Sequence, residues 1–211
     1  MQRPVTKERE QKFRATIAKR QSDLTVVLEN VNDPHNIGAV MRSCDAVGIS
    51  EIYIVYTDEN RNRSRKYIGN NSASGAKKWV KAHFYNDLES CFADVRKKYD
   101  KIYGTHLDTD SVSLFELNMN EAVALVFGNE QRGISENALK YLDGNFIIPQ
   151  HGMVQSLNIS VACAVTLFEA SRQRTLARKY DQPFDDQNTK HTEMYETFLD
   201  QHYLYVPDKS E

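Results

Sequence analysis

Residues able to do chemistry gather in three polar segments of this 211-residue chain. The first runs from Asn32 to Gly48 and holds Asn36 and Arg42. The second, Phe127-Gly128-Asn129-Glu130-Gln131-Arg132-Gly133-Ile134-Ser135, holds Glu130, and the third, from Ile147 to Ala162, holds Ser156 and Asn158. A guanidinium resists deprotonation, and a fixed cation in a water-poor site stabilises negative charge as it develops on a reacting oxygen. Taken singly, each residue also has an ordinary structural reading: Arg42 as a helix-surface arginine, Asn36 and Ser156 as caps, Glu130 as a partner of a helix dipole. Asn36 lies six positions before Arg42, about 240° of helical rotation. The two can therefore face one site only if Asn36 sits in the first turn or the loop before it. No GxGxxG follows the first strand, and GxxxxGK[ST], GxSxG, CxxC and HExxH are missing, which excludes a standard Rossmann dehydrogenase, a P-loop NTPase and the common metal motifs.

The elements that must position these residues alternate. Leu24-Thr25-Val26-Val27-Leu28 predicts a buried strand, and Asp33 as N-cap with Pro34 behind it predicts a helix over 34–47 that stops at Gly48. Further strands are expected at 51–56, 101–105, 122–127 and 145–148, with helices near 87–98, 135–142, 156–178 and 189–202. Residues 5–20 read as a surface helix and 59–78 as a mobile surface loop. The segment 181–190 reads as a polar linker before a carboxy-terminal helix and the aromatic run Tyr203-Leu204-Tyr205-Val206-Pro207. Short apolar strands alternating with helices specify an α/β fold with a mainly parallel sheet covered on both faces, and ligands then belong at the carboxyl ends of the strands.

In this order the three segments resemble the motifs of the SPOUT-class RNA 2′-O-ribose methyltransferases, over about residues 22–175. The approach Asp23 to Val31 and the basic helix before it resemble the TrmH family of tRNA (guanosine-18) 2′-O-methyltransferases. The resemblance implies an α/β-knot fold with a carboxy-terminal trefoil knot, S-adenosylmethionine as methyl donor, a tRNA substrate and a homodimer whose sites draw on both chains. It implies Arg42, Asn36, Glu130, Ser156 and Asn158 as catalytic residues, with Glu130 orienting Asn36 and Arg42. By position it assigns the cofactor to Thr105, Gly128, Ile148 and Leu157, and RNA contacts to His35, Arg172 and Arg174, with Arg14 or Arg20 extending that surface. The expected organisation is a basic helical extension at 1–22, a catalytic domain at 23–178 and a helical, aromatic tail at 179–211. A relative acting on a tRNA wobble ribose or on 23S rRNA is the second reading, and a catalytically silent RNA-binding protein the third.

Charge and cysteine usage fit this picture. The whole chain carries 27 basic and 29 acidic residues, but eight acids and two bases fall from Asp181 onward, leaving residues 1–180 with 25 bases against 21 acids. Acid-free basic runs, Arg61 to Lys81 and Arg172 to Lys179, can neutralise phosphates locally. Three widely spaced cysteines in apolar settings, a polar amino terminus and no long apolar run lead to the expectation of a cytoplasmic protein with reduced thiols, no membrane span and no structural metal.

Overall fold

The computed structural model describes residues 4–57, 73, 75–154 and 156–205. In chain order the elements are α1 (Lys7–Ile17), β1 (Leu24–Glu29), α2 (Pro34–Ala46), β2 (Glu51–Val55), β3 (Lys81–Tyr85), α3 (Leu88–Arg96), β4 (Lys101–Thr105) and β5 (Val112–Ser113). They continue with β6 (Val123–Phe127), α4 (Glu136–Leu139), β7 (Gly144–Ile147), α5 (Ile159–Leu176) and α6 (Thr189–Tyr205). Gln21–Ala177 form one compact unit, and the described parts of Met1–Arg20 and Arg178–Glu211 form another. No helix of the described residues is long and apolar enough to cross a membrane.

Seven strands make one sheet in the order β3-β2-β1-β6-β4-β7-β5, and each pairing is parallel. All six residues of β1 are buried, as a central parallel strand covered on both faces requires. Alternate side chains divide between two cores. Leu24, Val26, Leu28, Leu125 and Phe127 pack with Ile37, Val40, Met41 and Cys44 of α2 and with Ile159, Cys163, Leu167 and Ala170 of α5. Val27, Tyr53, Val55, Ala124 and Val126 pack on the other face with Cys91, Phe92 and Val95 of α3 and Ala138 of α4. In the smaller unit α1 packs on α6, where the Phe13 ring meets Phe198 edge-on at 5.5 Å.

Expectation and structure differ at a few places. β3 was not among the expected strands because Lys81-Ala82-His83-Phe84-Tyr85 has no β-branched residue. It forms because β2 offers it a ladder, from Glu51 opposite Lys81 to Val55 opposite Tyr85. The two-residue β5 is too short to leave a periodic signal. The helix expected from 156 starts at Ile159, and its N-cap is Asn158 rather than Ser156, with Asn158 Oδ1 accepting from Ser160 N–H at 2.8 Å. Of the loop expected at 59–78, a short 3-10 turn at Ala76–Lys78 is seen, and 59–72 and 74 lie outside the described residues.

Glu51, at the amino end of β2, ties the sheet to α3 on the edge opposite the strand carboxyl ends. Its Oε1 accepts from Lys98 Nζ at 2.7 Å and from the Tyr53 and Tyr99 hydroxyls at 3.3 Å each, and its Oε2 lies 2.9 Å from His83 Nε2. Burial disfavours the carboxylate, but hydrogen bonds from His83 and Lys98 outweigh it and hold the Glu51 carboxyl down at about 2. A depressed carboxyl contributes stability above its unfolded value, and that contribution is lost as pH falls through the folded value. Glu51→Gln is therefore expected to cost about 1–2 kcal/mol at pH 7 after allowance for solvent screening. In urea unfolding at a series of pH values, the gap to the parent should close between pH 4.5 and about 2; a gap independent of pH would refute the ionic account.

Candidate active site

The polar segments meet at the carboxyl ends of the central strands because all seven strands run the same way. At the start of α2, Asp33 Oδ1 accepts from His35 N–H at 2.8 Å and Pro34 occupies the first turn, which places Asn36 in that turn as well. Asn36 Nδ2 donates to Glu130 Oε1 at 3.1 Å, and Asn158 Nδ2 donates to Asn36 Oδ1 at 3.3 Å. Asn158 Oδ1 in turn accepts from the Ser160 hydroxyl at 2.6 Å. Every amide in this chain has one donor and one acceptor engaged, so the side chains hold each other's orientation.

Glu130 stands on a tightly closed loop. Asn129 and Gly133 exchange backbone hydrogen bonds at 3.0 and 2.8 Å, and Asn129 Oδ1 accepts from the N–H groups of Gln131 and Arg132. Gly133 has φ +68°, and a Cβ on Gly128 would lie 2.1 Å from the Gly133 carbonyl carbon, so both glycines are needed for the loop to close. Asn129 Nδ2 also donates to Asn30 O at 2.9 Å, tying the loop to the end of β1. Asn129 was not among the expected site residues. Its signal was present in Asn-Glu-Gln-Arg-Gly, where an Asn whose side chain can accept from the N–H groups two and three residues on builds a turn.

Arg42 and Ser156 stand outside this hydrogen-bonded chain. Arg42 is exposed and, among the described residues, has no hydrogen-bond or ion-pair partner. It lies on the same face of α2 as exposed His35, seven residues earlier, whereas Val40, Met41 and Cys44 face the core. Ser156 is exposed in the loop before α5.

Gly128, Thr105 and Ile148 follow one another along the carboxyl ends of the sheet, at or just past the ends of the neighbouring strands β6, β4 and β7. The register sets Gly104 beside Val126 and Thr105 beside Phe146. Leu157 immediately precedes the N-cap of α5. Main-chain groups at strand ends together with two aliphatic side chains suit a nucleoside held through its backbone-facing edge and an apolar wall, and they fit the cofactor expected above. No group of His, Cys, Asp and Glu among the described residues could hold a metal ion.

The basic residues divide. Arg172 is exposed, with Glu169 accepting from Nε and Nη2 at 2.8 Å each. In the smaller unit, Arg14 donates to Asp186 at 2.8 Å and lies 4.6 Å over the Phe184 ring, and Arg20 lies 5.6 Å over Phe198. Arg174 corrects the expectation of an RNA contact. It is fully buried, and its guanidinium donates to the carbonyls of Met119, Asp23 and Glu121, to Gln21 Oε1 and to the Asp23 carboxylate. No donor is left for a phosphate. On α5, Arg174 continues the buried stripe Cys163, Leu167 and Ala170, whereas Arg172 continues the exposed Val161, Val165 and Phe168.

Residues 23–168 match the model of the SpoU rRNA Methylase family. The chain belongs to this family. This SpoU-family chain is 41% identical to a tRNA (guanosine(18)-2'-O)-methyltransferase of Thermus thermophilus over 86% of its own length and 91% of the relative's. Its fold matches that of the A. aeolicus TrmH/SpoU tRNA modifying enzyme with a TM-score of 0.79 at 30% identity, covering 92% and 96% of the two chains. It also matches an AdoMet-bound rRNA methyltransferase from Sinorhizobium meliloti, with a TM-score of 0.59 at 28% identity over 73% of this chain and 57% of that one.

Removing the buried guanidinium strands a carboxylate and several carbonyls. Arg174→Met is accordingly expected to lower unfolding stability by about 3 kcal/mol or more, whereas Arg172→Ala should cost under about 1 kcal/mol. Chemical denaturation of both variants checks this, and equal losses would show that Arg174 is not the internal tie described.

Proposed function

We propose that this chain transfers a methyl group from S-adenosylmethionine to the ribose 2′-hydroxyl of guanosine 18 in the tRNA D-loop. The observation that carries the reading is the hydrogen-bonded chain Asn158–Asn36–Glu130, assembled at the strand carboxyl ends of a SpoU-family fold. The name of the Thermus relative, matched over nearly its whole length, supports the choice of nucleotide. The segment 23–178 is the catalytic domain, 1–22 a basic helical extension and 179–211 a helical, aromatic tail, and the protein works in the cytoplasm. The chain beyond β7 takes the trefoil-knotted course of the class.

The donor supplies an electrophilic sulfonium methyl. The ribose 2′-oxygen would take that methyl in exchange for its own proton, which would pass to solvent, so the task left to the protein's residues is to favour the oxyanion. Arg42 holds its positive charge throughout, so its work is to stabilise the developing alkoxide. Asn36, fixed by Glu130 and Asn158, presents a rigid amide beside it, and Ser156 and Asn158 line the entry to α5. Thr105, Gly128, Ile148 and Leu157 hold the donor, and His35 and Arg172 face RNA.

The working form is a homodimer. Val161, Val165, Phe168 and Leu176 leave an apolar stripe on α5, with Phe168 57% and Leu176 73% exposed. A second copy would cover that stripe. Arg42 and Asn36 leave α2 in directions about 120° apart by helical rotation, which suits a site completed by parts of two chains.

Incubation with labelled S-adenosylmethionine and tRNA lacking D-loop ribose methylation should place the label on the ribose of guanosine 18. Label on the wobble ribose or on 23S rRNA would reassign the substrate, and no label in any RNA would sink the reading. Arg42→Ala should lower the transfer rate by about 100-fold or more with cofactor affinity retained. Sedimentation at micromolar concentration should give a dimer that Phe168→Glu splits; a monomeric parent would remove the two-chain site.

A further inference from the structure

The hydrogen-bonded chain at Asn36 does not stop at Glu130. Glu29, the last residue of β1, is 1% exposed, yet among the described residues no Lys, Arg or His pairs with its carboxylate. Its partners among the described residues are neutral donors: Ser135 N–H at 2.9 Å on Oε2 and Asn30 Nδ2 at 3.2 Å on Oε1. Burying a carboxylate without a counter-charge costs several kcal/mol, and an aliphatic residue would suit a strand buried along its whole length better.

Both partners lead to the loop that carries Glu130. Ser135 is its far end and the N-cap of α4. Asn30 reaches its near end. With φ +54°, held by Thr57 N–H on its Oδ1 and by its own N–H on the Val55 carbonyl, Asn30 turns its carbonyl to accept from Asn129 Nδ2 at 2.9 Å. The same Asn129 Nδ2 lies 3.4 Å from Glu130 Oε2, while Glu130 Oε1 accepts from Asn36. One buried carboxylate thus grips residues on both sides of the turn that aims Glu130.

We propose that Glu29 is a positioning residue for methyl transfer: by holding Ser135 and Asn30 it fixes the loop 128–135, so that Glu130 offers one oxygen to Asn36. This rests on the methyltransferase reading above. The carboxylate is required because both partners are donors. A glutamine of the same shape has a single acceptor oxygen and must set its own N–H₂ group against one of them. Displacement of about an ångström at Glu130 is enough to cost about 100-fold in rate.

The test is single-turnover methyl transfer with the full-length protein at saturating donor and tRNA, alongside donor affinity by calorimetry, KM for tRNA and thermal unfolding. Glu29→Gln should slow transfer by about 10- to 100-fold, leave donor affinity and KM within about threefold and stay folded at the assay temperature. Asn129→Asp, which keeps the oxygen that closes the turn but loses the donor to Asn30, provides a second variant with the same expected pattern. In a Glu130→Gln background either change should cost less than about twofold, because residues acting through one group are non-additive. An equal cost in both backgrounds, a loss that tracks the unfolded fraction, or transfer at the parent's rate overturns the proposal. A parent that methylates no RNA sinks the functional reading and this proposal with it, whereas an active parent with an unaffected Glu29→Gln overturns this proposal alone.

Discussion

Asn36 donates to a residue 94 positions later and accepts from one 122 positions later, and through its single amide three loops become one surface. Each of those contacts is a neutral or charge-assisted hydrogen bond worth on the order of 1–2 kcal/mol, too little to bring remote loops together unaided. Two of the loops are already adjacent before the amide acts, because β1 and β6, which feed them, lie side by side, and the packing of α5 on α2 brings in the third. The site therefore depends on sheet order, and the polar chain only selects the final orientation.

That order puts β1 next to β6 in the middle of the sheet, with Leu28 beside Phe127. The loops that follow these two strands carry Asn36 and Glu130. Helix α5, capped by Asn158, packs on α2 through the same apolar core that buries β1, so the third loop is delivered to the same place. The cofactor candidates occupy the continuation of this edge over β4 and β7. The hydrogen-bonded chain and the cofactor candidates are thus adjacent on one parallel sheet, which limits how far any of these groups must be held by flexible loop alone.

Charge is handled by separating roles. Arg174 is consumed internally by carbonyls and a carboxylate, whereas Arg172 is paired with Glu169 but stays exposed. Arg42 is exposed with no acid among the described residues to neutralise it. A cation already paired has little potential left to stabilise developing negative charge, and a guanidinium with no partner among the described residues, such as that of Arg42, keeps its potential. Glu29 is the converse, a buried anion surrounded by neutral donors, where a cation would compete with the groups it holds.

Much of this was legible in the residue order. The β-branched run at 24–28, the Asp33-Pro34 start of α2 and the apolar run at 123–127 gave strand and helix positions to within a few residues, because local periodicity and capping chemistry are encoded within a few neighbouring positions. The three polar segments announced the family for the same reason: their chemistry needs particular residue types at short spacings. Fates decided by distant partners were not legible. β3 needed the ladder offered by β2, Asn158 rather than Ser156 took the helix cap, and Arg174 turned inward to groups more than 50 residues away. Hydrogen bonds between residues so far apart carry no local pattern, so only the folded chain could decide which polar side chains would face the site and which would be spent holding it together.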